Sequence, residues 1–117
     1  MAVLMFISCK SQETKSITHI TLDEFKKEVI GKNTQLIDVR TPKEYKEGFI
    51  DNAININIYQ KDQFIKEIQK FEKTKPIYVY CHKGGRSGKA SKLLEELGFK
   101  TINDFTGGWK AWTKDQE

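Results

Sequence analysis

Short apolar segments alternate with amphipathic segments along this chain of 117 residues. The segments typical of strands are apolar or strictly alternating, and they lie at residues 17–20, 34–38, 53–58, 77–80 and 99–102. The helical patterns lie between them, at residues 21–30, 41–48, 62–71 and 89–97, with a last short helix around Trp109 and Trp112. Because strands that alternate with helices form parallel sheets, this order predicts one α/β domain over residues 17–117, with a mostly parallel sheet and helices on both faces.

Two of the predicted helices begin at a recognisable cap. Thr21 is followed three residues later by Glu24, and Thr41 is followed in the same way by Glu44. In such a capping box each side chain bonds a free backbone N–H at the start of the helix. Pro42 stands at the first helical position, where its missing N–H has no cost.

The segment Cys81–Ser87, with the sequence Cys-His-Lys-Gly-Gly-Arg-Ser, is the strongest candidate for a reactive site. It joins the end of a buried strand to the start of a helix, so its backbone N–H groups can converge on one point near a helix N-terminus. Lys83 and Arg86 add two positive charges. A cysteine thiol ionises more readily in such surroundings, which favours Cys81 as a nucleophile. The alternative is that Cys81 is only a small buried residue.

The other residues of this loop have expected supporting roles. Gly84 and Gly85 permit backbone turns that a side chain would obstruct. Ser87 is expected to cap the helix that follows. His82 could tune the acidity of the thiol, although a sequence neighbour usually points away from it.

A second polar segment leaves a strand near the same place. Asp38 and Arg40 lie at the end of the 34–38 segment. Ligands bind beyond the carboxyl ends of parallel strands, so we expect these residues and Cys81 to meet at one edge of the sheet. We expect Asp38 and Arg40 to support the loop through contacts with Glu44 or with loop carbonyls, and a contact between Arg40 and substrate is the alternative.

Composition excludes several other classes of function. The net charge is +4 and the charged residues are interleaved, so no basic stripe for nucleic acid is present. His19 and His82 are too isolated to complete a zinc site with Cys81. Gly84 and Gly85 lack the ending of a phosphate-binding P-loop, and no organic cofactor is implied. The slight positive charge suits a small anionic substrate.

Residues 1–16 are set apart from the domain as a signal or tether segment. The apolar run Ala2–Ile7 precedes Cys9, which resembles the end of a bacterial lipoprotein signal peptide. This pattern predicts a lipidated Cys9, a membrane tether and a location in the bacterial cell envelope or periplasm. The run is too short to cross a bilayer and no basic residue precedes it, so a cytoplasmic protein is the alternative. We expect no disulfide between Cys9 and Cys81.

The chain resembles the rhodanese-like family through three motifs that occur in order. The first motif comprises four segments: Leu36-Ile-Asp-Val-Arg40, Thr41-Pro-Lys-Glu-Tyr45, Gly48-Phe-Ile50 and Ala53-Ile-Asn55. The second is the loop Cys81–Ser87, and the third is Gly107-Gly-Trp-Lys-Ala-Trp112 near the C-terminus. The family usually has His where this chain has Phe49, and Pro-Gly where it has Asp51 and Asn52. These departures predict a local change in the turn and leave the reactive loop unaltered.

The resemblance implies an α/β three-layer sandwich with a five-stranded, mostly parallel sheet, and a sulfurtransferase. We expect the protein to be a monomer. Cys81 would take a sulfur atom from an anionic donor such as thiosulfate and pass it, as a persulfide, to a thiol or to cyanide. Residues 82–87 would hold the persulfide, and Asp38, Arg40 and Glu44 would support the loop.

Three alternatives remain. The first is a sulfur carrier or redox partner that accepts sulfur from another protein. The second is a phosphatase or arsenate reductase, which the spacing of Cys81 and Arg86 disfavours because related phosphatases place five residues between Cys and Arg rather than four. The third is a non-catalytic binding module.

Overall fold

A computed structural model describes residues 15–117 of the chain. The predictions for the N-terminal segment, including the lipidation of Cys9, lie outside these described residues. The strands are β1 (Ile17–Ile20), β2 (Gln35–Asp38), β3 (Ile54–Asn55), β4 (Ile77–Tyr80) and β5 (Ile102–Phe105). The helices are α1 (Leu22–Val29), α2 (Pro42–Glu47), α3 (Lys61–Ile68), α4 (Gly85–Glu96) and α5 (Gly108–Asp115).

The five strands form one parallel sheet in the order β1-β5-β4-β2-β3. The sheet order places β4 at the centre, with β2 directly beside it, and Asp38 lies opposite Tyr80 in their register. The segments that follow these two strands therefore leave the sheet at the same edge, as the sequence predicted.

Helices cover both faces of the sheet, which confirms the predicted three layers. Along each central strand the side chains alternate between faces. One core cluster joins Val79 and Cys81 to Phe64 of α3 and Leu94 of α4. The other cluster lies on the opposite face and packs Tyr80 with Phe25 of α1, Phe105 of β5 and Trp112 of α5.

Local sequence signals set the starts of α1 and α2. Both capping boxes are formed, with the backbone N–H of Glu24 donating to Thr21 and that of Glu44 donating to Thr41. Pro42 is the first residue of α2, and the helix ends before Gly48. These two helix starts are confirmed as the sequence predicted them.

Two predicted strands have different bounds in the structure. The last strand is Ile102–Phe105 and not residues 99–102, because the polar Asn103 and Asp104 lie buried within the strand and interrupt its apolar pattern. The segment predicted as a strand at 53–58 pairs as β3 only at its first part. Beyond it, the N–H groups of Ile56 and Ile58 donate to the carbonyls of Asp38 and Val39.

No helix within the described part of the chain is long and apolar enough to cross a membrane.

The turn after α2 contains Asp51 at the position where the resemblance expects proline, and its backbone differs from the one that a proline there would give. Asp51 has a φ of +51°, which the ring of proline does not allow. Its carboxylate accepts a hydrogen bond from the backbone N–H of Gly31 at 3.1 Å. Phe49 stacks on Tyr45 at a ring distance of 4.3 Å and remains half exposed.

Candidate active site

Cys81 lies at the floor of an open pocket of about 400 Å³ at the carboxyl edge of the sheet. Its thiol is free, and the backbone N–H of Gly84 donates to Sγ at 3.1 Å. The residue is only 1% exposed, so a substrate must approach it through the pocket. The pocket is lined by Tyr59, Cys81, His82, Lys83, Gly85, Arg86 and Lys89.

The loop makes its turn at Gly84. This residue has a φ of +107°, and a Cβ there would lie 3.0 Å from the carbonyl oxygen of Thr106. Gly85, in contrast, is the first residue of α4 and has open space where a Cβ would stand. The expected need for a glycine is therefore right for position 84 and wrong for position 85.

The start of α5 holds the start of the loop. The N–H of Trp109 donates to the carbonyl of Cys81 at 2.8 Å, and the N–H of Lys110 donates to that of His82 at 2.9 Å. Gly108 permits this approach, because its φ is +58° and a Cβ would lie 2.5 Å from the carbonyl oxygen of Cys81. Sequence analysis had assigned no such contact to this segment, although two consecutive glycines before a tryptophan are a signal for close backbone packing.

Arg86 is paired rather than free. Its guanidinium donates to both carboxylate oxygens of Glu44, at 2.7 and 3.0 Å, and lies 5.5 Å from the centre of the Tyr59 ring. The pair with Arg86 lowers the pKa of Glu44 to about 2, helped by hydrogen bonds from Thr41. The charge of Arg86 is therefore balanced. Lys83 and Lys89, which form no ion pair with any residue from 15 to 117, supply the remaining positive charge of the pocket.

Asp38 and Arg40 form a buried ion pair beneath the loop. The guanidinium donates to the Asp38 carboxylate at 2.7 Å and to the carbonyl of Gly48 at 2.6 Å. It also lies 4.7 Å from the centre of the Trp109 ring. Arg40 is 1% exposed and does not line the Cys81 pocket, so its contacts in the described structure are those of a supporting residue. The expected support was through Glu44 or through loop carbonyls. Glu44 bonds Arg86 instead, and the carbonyl that Arg40 binds is that of Gly48, after α2.

Ser87 does not cap α4. The helix begins two residues earlier, at Gly85, and the buried hydroxyl of Ser87 donates to the carboxylate of Asp104 at 2.7 Å. Burial raises the pKa of Asp104, and the hydrogen bond from Ser87 opposes that rise. The second Asp104 oxygen lies 3.4 Å from Nδ1 of His19 at the surface.

His82 lies beside Cys81 and lines the pocket, and Lys83 is exposed at its rim. Tyr59 was missed by sequence analysis, and it is 69% exposed over the pocket. A large aromatic side chain just beyond an edge strand was its only signal. Among residues 15–117, no three side chains of the types that bind metals lie close enough to share an ion.

Two relatives of known name are similar to this chain over only part of their own length. A mitochondrial protein of Schizosaccharomyces pombe is 39% identical over an alignment of 92 residues that covers 70% of this chain and 65% of that protein. The tRNA uridine(34) hydroxylase of Pelagibacter ubique is 36% identical over 105 residues, 90% of this chain and 35% of that enzyme. The chain thus spans two thirds or less of the length of these two relatives.

A relative of similar length is the thiosulfate sulfurtransferase GlpE of Coxiella burnetii, 31% identical over 98 residues, which are 84% of this chain and 86% of that enzyme. The crystal structure of a rhodanese-like domain protein from Staphylococcus aureus superposes with a TM-score of 0.70 at 35% identity, covering 80% of this chain and 89% of that one. The profile of the rhodanese-like domain matches residues 21–115. The chain therefore belongs to the rhodanese-like domain family.

Proposed function

We propose that this protein is a sulfurtransferase that carries a sulfur atom on Cys81. The Cys81 thiolate attacks the outer sulfur of an anionic donor such as thiosulfate. The sulfur–sulfur bond of the donor breaks, sulfite leaves with the electron pair, and a persulfide remains on Cys81. A thiol or cyanide then attacks the outer persulfide sulfur and releases the Cys81 thiolate, which is covalent catalysis in two half-reactions.

The observation that carries this proposal is the hydrogen bond from Gly84 N–H to the Cys81 sulfur at the floor of the pocket. A backbone donor and the N-terminus of α4 both favour negative charge at that point. The same environment supports a thiolate before transfer and a persulfide anion after it. The relative named thiosulfate sulfurtransferase from Coxiella burnetii adds support for this chemistry.

The pocket favours a small donor over a protein. Cys81 is nearly fully buried, so the reacting sulfur must fit inside the pocket. Lys83 and Lys89 are exposed and line the pocket, where they would attract a dianion and stabilise departing sulfite. The sulfur-carrier alternative requires another protein to reach the same buried thiol.

The state of Arg86 supports transfer of sulfur over transfer of phosphate. A phosphatase of this fold would need the loop arginine to hold the phosphoryl oxygens. Here both carboxylate oxygens of Glu44 already bind the Arg86 guanidinium. Four residues separate Cys81 from Arg86, which also makes a smaller ring of N–H groups.

A thiosulfate:cyanide assay tests the proposed function. We expect saturable turnover by the wild-type protein and none by Cys81→Ser. Lys83→Glu should raise the KM for thiosulfate, and Lys27→Glu on the opposite face of the sheet serves as its control. Full activity of Cys81→Ser would overturn the proposal, and an unchanged KM for Lys83→Glu would remove that lysine from the donor site.

We also propose, from the sequence of residues 1–9 alone, that Cys9 is lipidated and tethers the domain to the bacterial cell envelope. Expression of the full chain with labelled palmitate tests this. Label should enter the wild-type protein and not Cys9→Ser, and absence of label from both would leave the cytoplasmic alternative.

A further inference from the structure

A second groove adjoins the Cys81 pocket on the α3 and α4 face of the sheet. It has a volume of about 360 Å³ and is lined by Ile58, Lys61, Lys89, Lys92, Leu93 and Glu96. Lys89 lines both cavities, and Ile58 of the groove precedes Tyr59 of the pocket in the chain. We refer to these six residues as the lysine groove. The two cavities therefore meet along Lys89 and the segment after β3.

The lysine groove runs along α4 away from the reactive loop. Lys89, Lys92 and Glu96 follow one another at intervals of three and four residues, so they lie on one face of the helix. Lys92 lies about 10 Å along the helix axis from Gly85, where the loop ends. A ligand whose sulfur reaches Cys81 would thus place groups about that far away beside Lys92.

The chemistry of the groove is basic with an apolar floor. Lys61, Lys89 and Lys92 each contribute an ammonium group, and Ile58 and Leu93 contribute apolar surface. In the part of the chain that the structure describes, none of these three lysines forms an ion pair with a carboxylate.

The one acidic residue of the groove, Glu96, lies at the end furthest from the loop. The end of the groove that is nearer Cys81 therefore favours anionic groups.

We propose that the lysine groove binds the anionic groups of the sulfur acceptor, and that this acceptor is a small thiol carrying carboxylate or phosphate groups. The inference rests on the proposed function. The acceptor thiolate attacks the outer sulfur of the Cys81 persulfide, a new sulfur–sulfur bond forms on the acceptor, and Cys81 leaves as its thiolate. No oxidant or reductant is needed, because one persulfide replaces another.

A small acceptor fits the dimensions better than a protein does. Cys81 is 1% exposed, so the attacking sulfur must enter the pocket. The pocket and the lysine groove each fall within the range of roughly 300–1,000 Å³ that is usual for small-molecule sites. Their contact at Lys89 would let one molecule occupy both.

Two-substrate kinetics test the proposal, because the two half-reactions give separate KM values for donor and acceptor. The variant is the double substitution Lys61→Ala with Lys92→Ala, and Lys27→Ala on α1 is the control. The acceptors are glutathione, which carries two carboxylates, and its diethyl ester, which carries the same thiol without them. Coenzyme A is the phosphate-bearing acceptor.

We expect the double variant to raise the KM for glutathione or coenzyme A about three- to tenfold, since each exposed ion pair contributes little. The larger rise identifies carboxylate or phosphate as the preferred group. The KM for the diethyl ester and for thiosulfate should change less than twofold, and Lys27→Ala should change none of them. Raised salt should abolish the difference between glutathione and its ester.

The failure of this proposal is distinguishable from failure of the proposed function. If thiosulfate still loads one sulfur on Cys81 while the KM for both anionic thiols is unchanged in the double variant, the lysine groove does not bind the acceptor. The same conclusion follows if only an acidic protein, and no small thiol, unloads the persulfide. If no sulfur is loaded at all, the proposed function fails first.

Discussion

Glu44 sets how much positive charge the pocket presents to a donor. Its carboxylate binds Arg86 through two hydrogen bonds and also closes the cap of α2 through Thr41. The pKa of Glu44 is lowered to about 2, so the pair persists at neutral pH and is lost only as the pH falls toward that value. The stability that this pair contributes is therefore fully present above the ordinary pKa of a glutamate.

Glu44→Gln should lower the KM for thiosulfate about two- to fivefold, because it removes the charge that balances Arg86. Glutamine can still complete the capping box, so α2 should remain folded. Glu47→Gln, at an exposed position of the same helix, is the control and should leave the KM unchanged. Steady-state kinetics at low ionic strength measure the KM of both variants. A raised KM for Glu44→Gln would show that Glu44 does not act by balancing the charge of Arg86.

Two buried serines of α4 differ in their partners. Ser87 donates to the buried carboxylate of Asp104, whereas the hydroxyl of Ser91 has no hydrogen-bond partner among the described residues. Ser87→Ala should destabilise the protein by about 1–3 kcal/mol, because it leaves a buried carboxylate without its donor. Ser91→Ala should be neutral or slightly stabilising. Urea unfolding measures both, and equal effects would show that the contact with Asp104 contributes nothing.

Among the helices and strands, the first turn of α5 fixes the reactive loop to the sheet. The N–H groups of Trp109 and Lys110 bind the carbonyls of Cys81 and His82. The loop is thus held at its start by α5, and Gly84 packs against Thr106 at the end of β5. Helix and strand ends far apart in sequence therefore determine where the thiol lies.

Gly108→Ala should disturb this arrangement more than the backbone strain alone explains. Gly31 and Gly108 both have positive φ values, but a Cβ at Gly31 meets nothing within 4 Å, whereas one at Gly108 meets the Cys81 carbonyl. Gly31→Ala should therefore lower the free energy of unfolding by about 1 kcal/mol through strain only. Gly108→Ala should lower it by about 2 kcal/mol or more and also reduce the rate of sulfur transfer. Equal losses of stability with unchanged rates would contradict the role of α5.

Local sequence patterns predicted the helices and strands, but they did not predict contacts between residues far apart in the chain. The capping boxes at Thr21 and Thr41 depend on residues three positions apart, so the sequence contains the whole signal. The pair of Glu44 and Arg86 joins residues 42 positions apart, and no local pattern indicates it. Asp104 interrupts the apolar run of β5, so the strand was placed too early and the partner of Ser87 was missed.

The buried ion pair of Asp38 and Arg40 connects the layers of the fold. Arg40 binds Asp38 at the end of β2 and the Gly48 carbonyl after α2, and it lies over the Trp109 ring of α5. Arg40→Ala should destabilise the protein by about 3–5 kcal/mol, because Asp38 would keep a buried charge without a partner. Addition of Asp38→Asn should recover part of that loss in thermal unfolding, and no recovery would indicate that Arg40 acts through packing alone.

The proposed function requires that Cys81 carry a sulfur atom. Intact mass spectrometry after incubation with thiosulfate detects this sulfur on the protein itself, because each chain either gains a sulfur atom or does not. We expect a gain of one sulfur per chain, its removal by a reductant, and no gain in Cys81→Ser. An unchanged mass in the wild-type protein, or the same gain in Cys81→Ser, would contradict it.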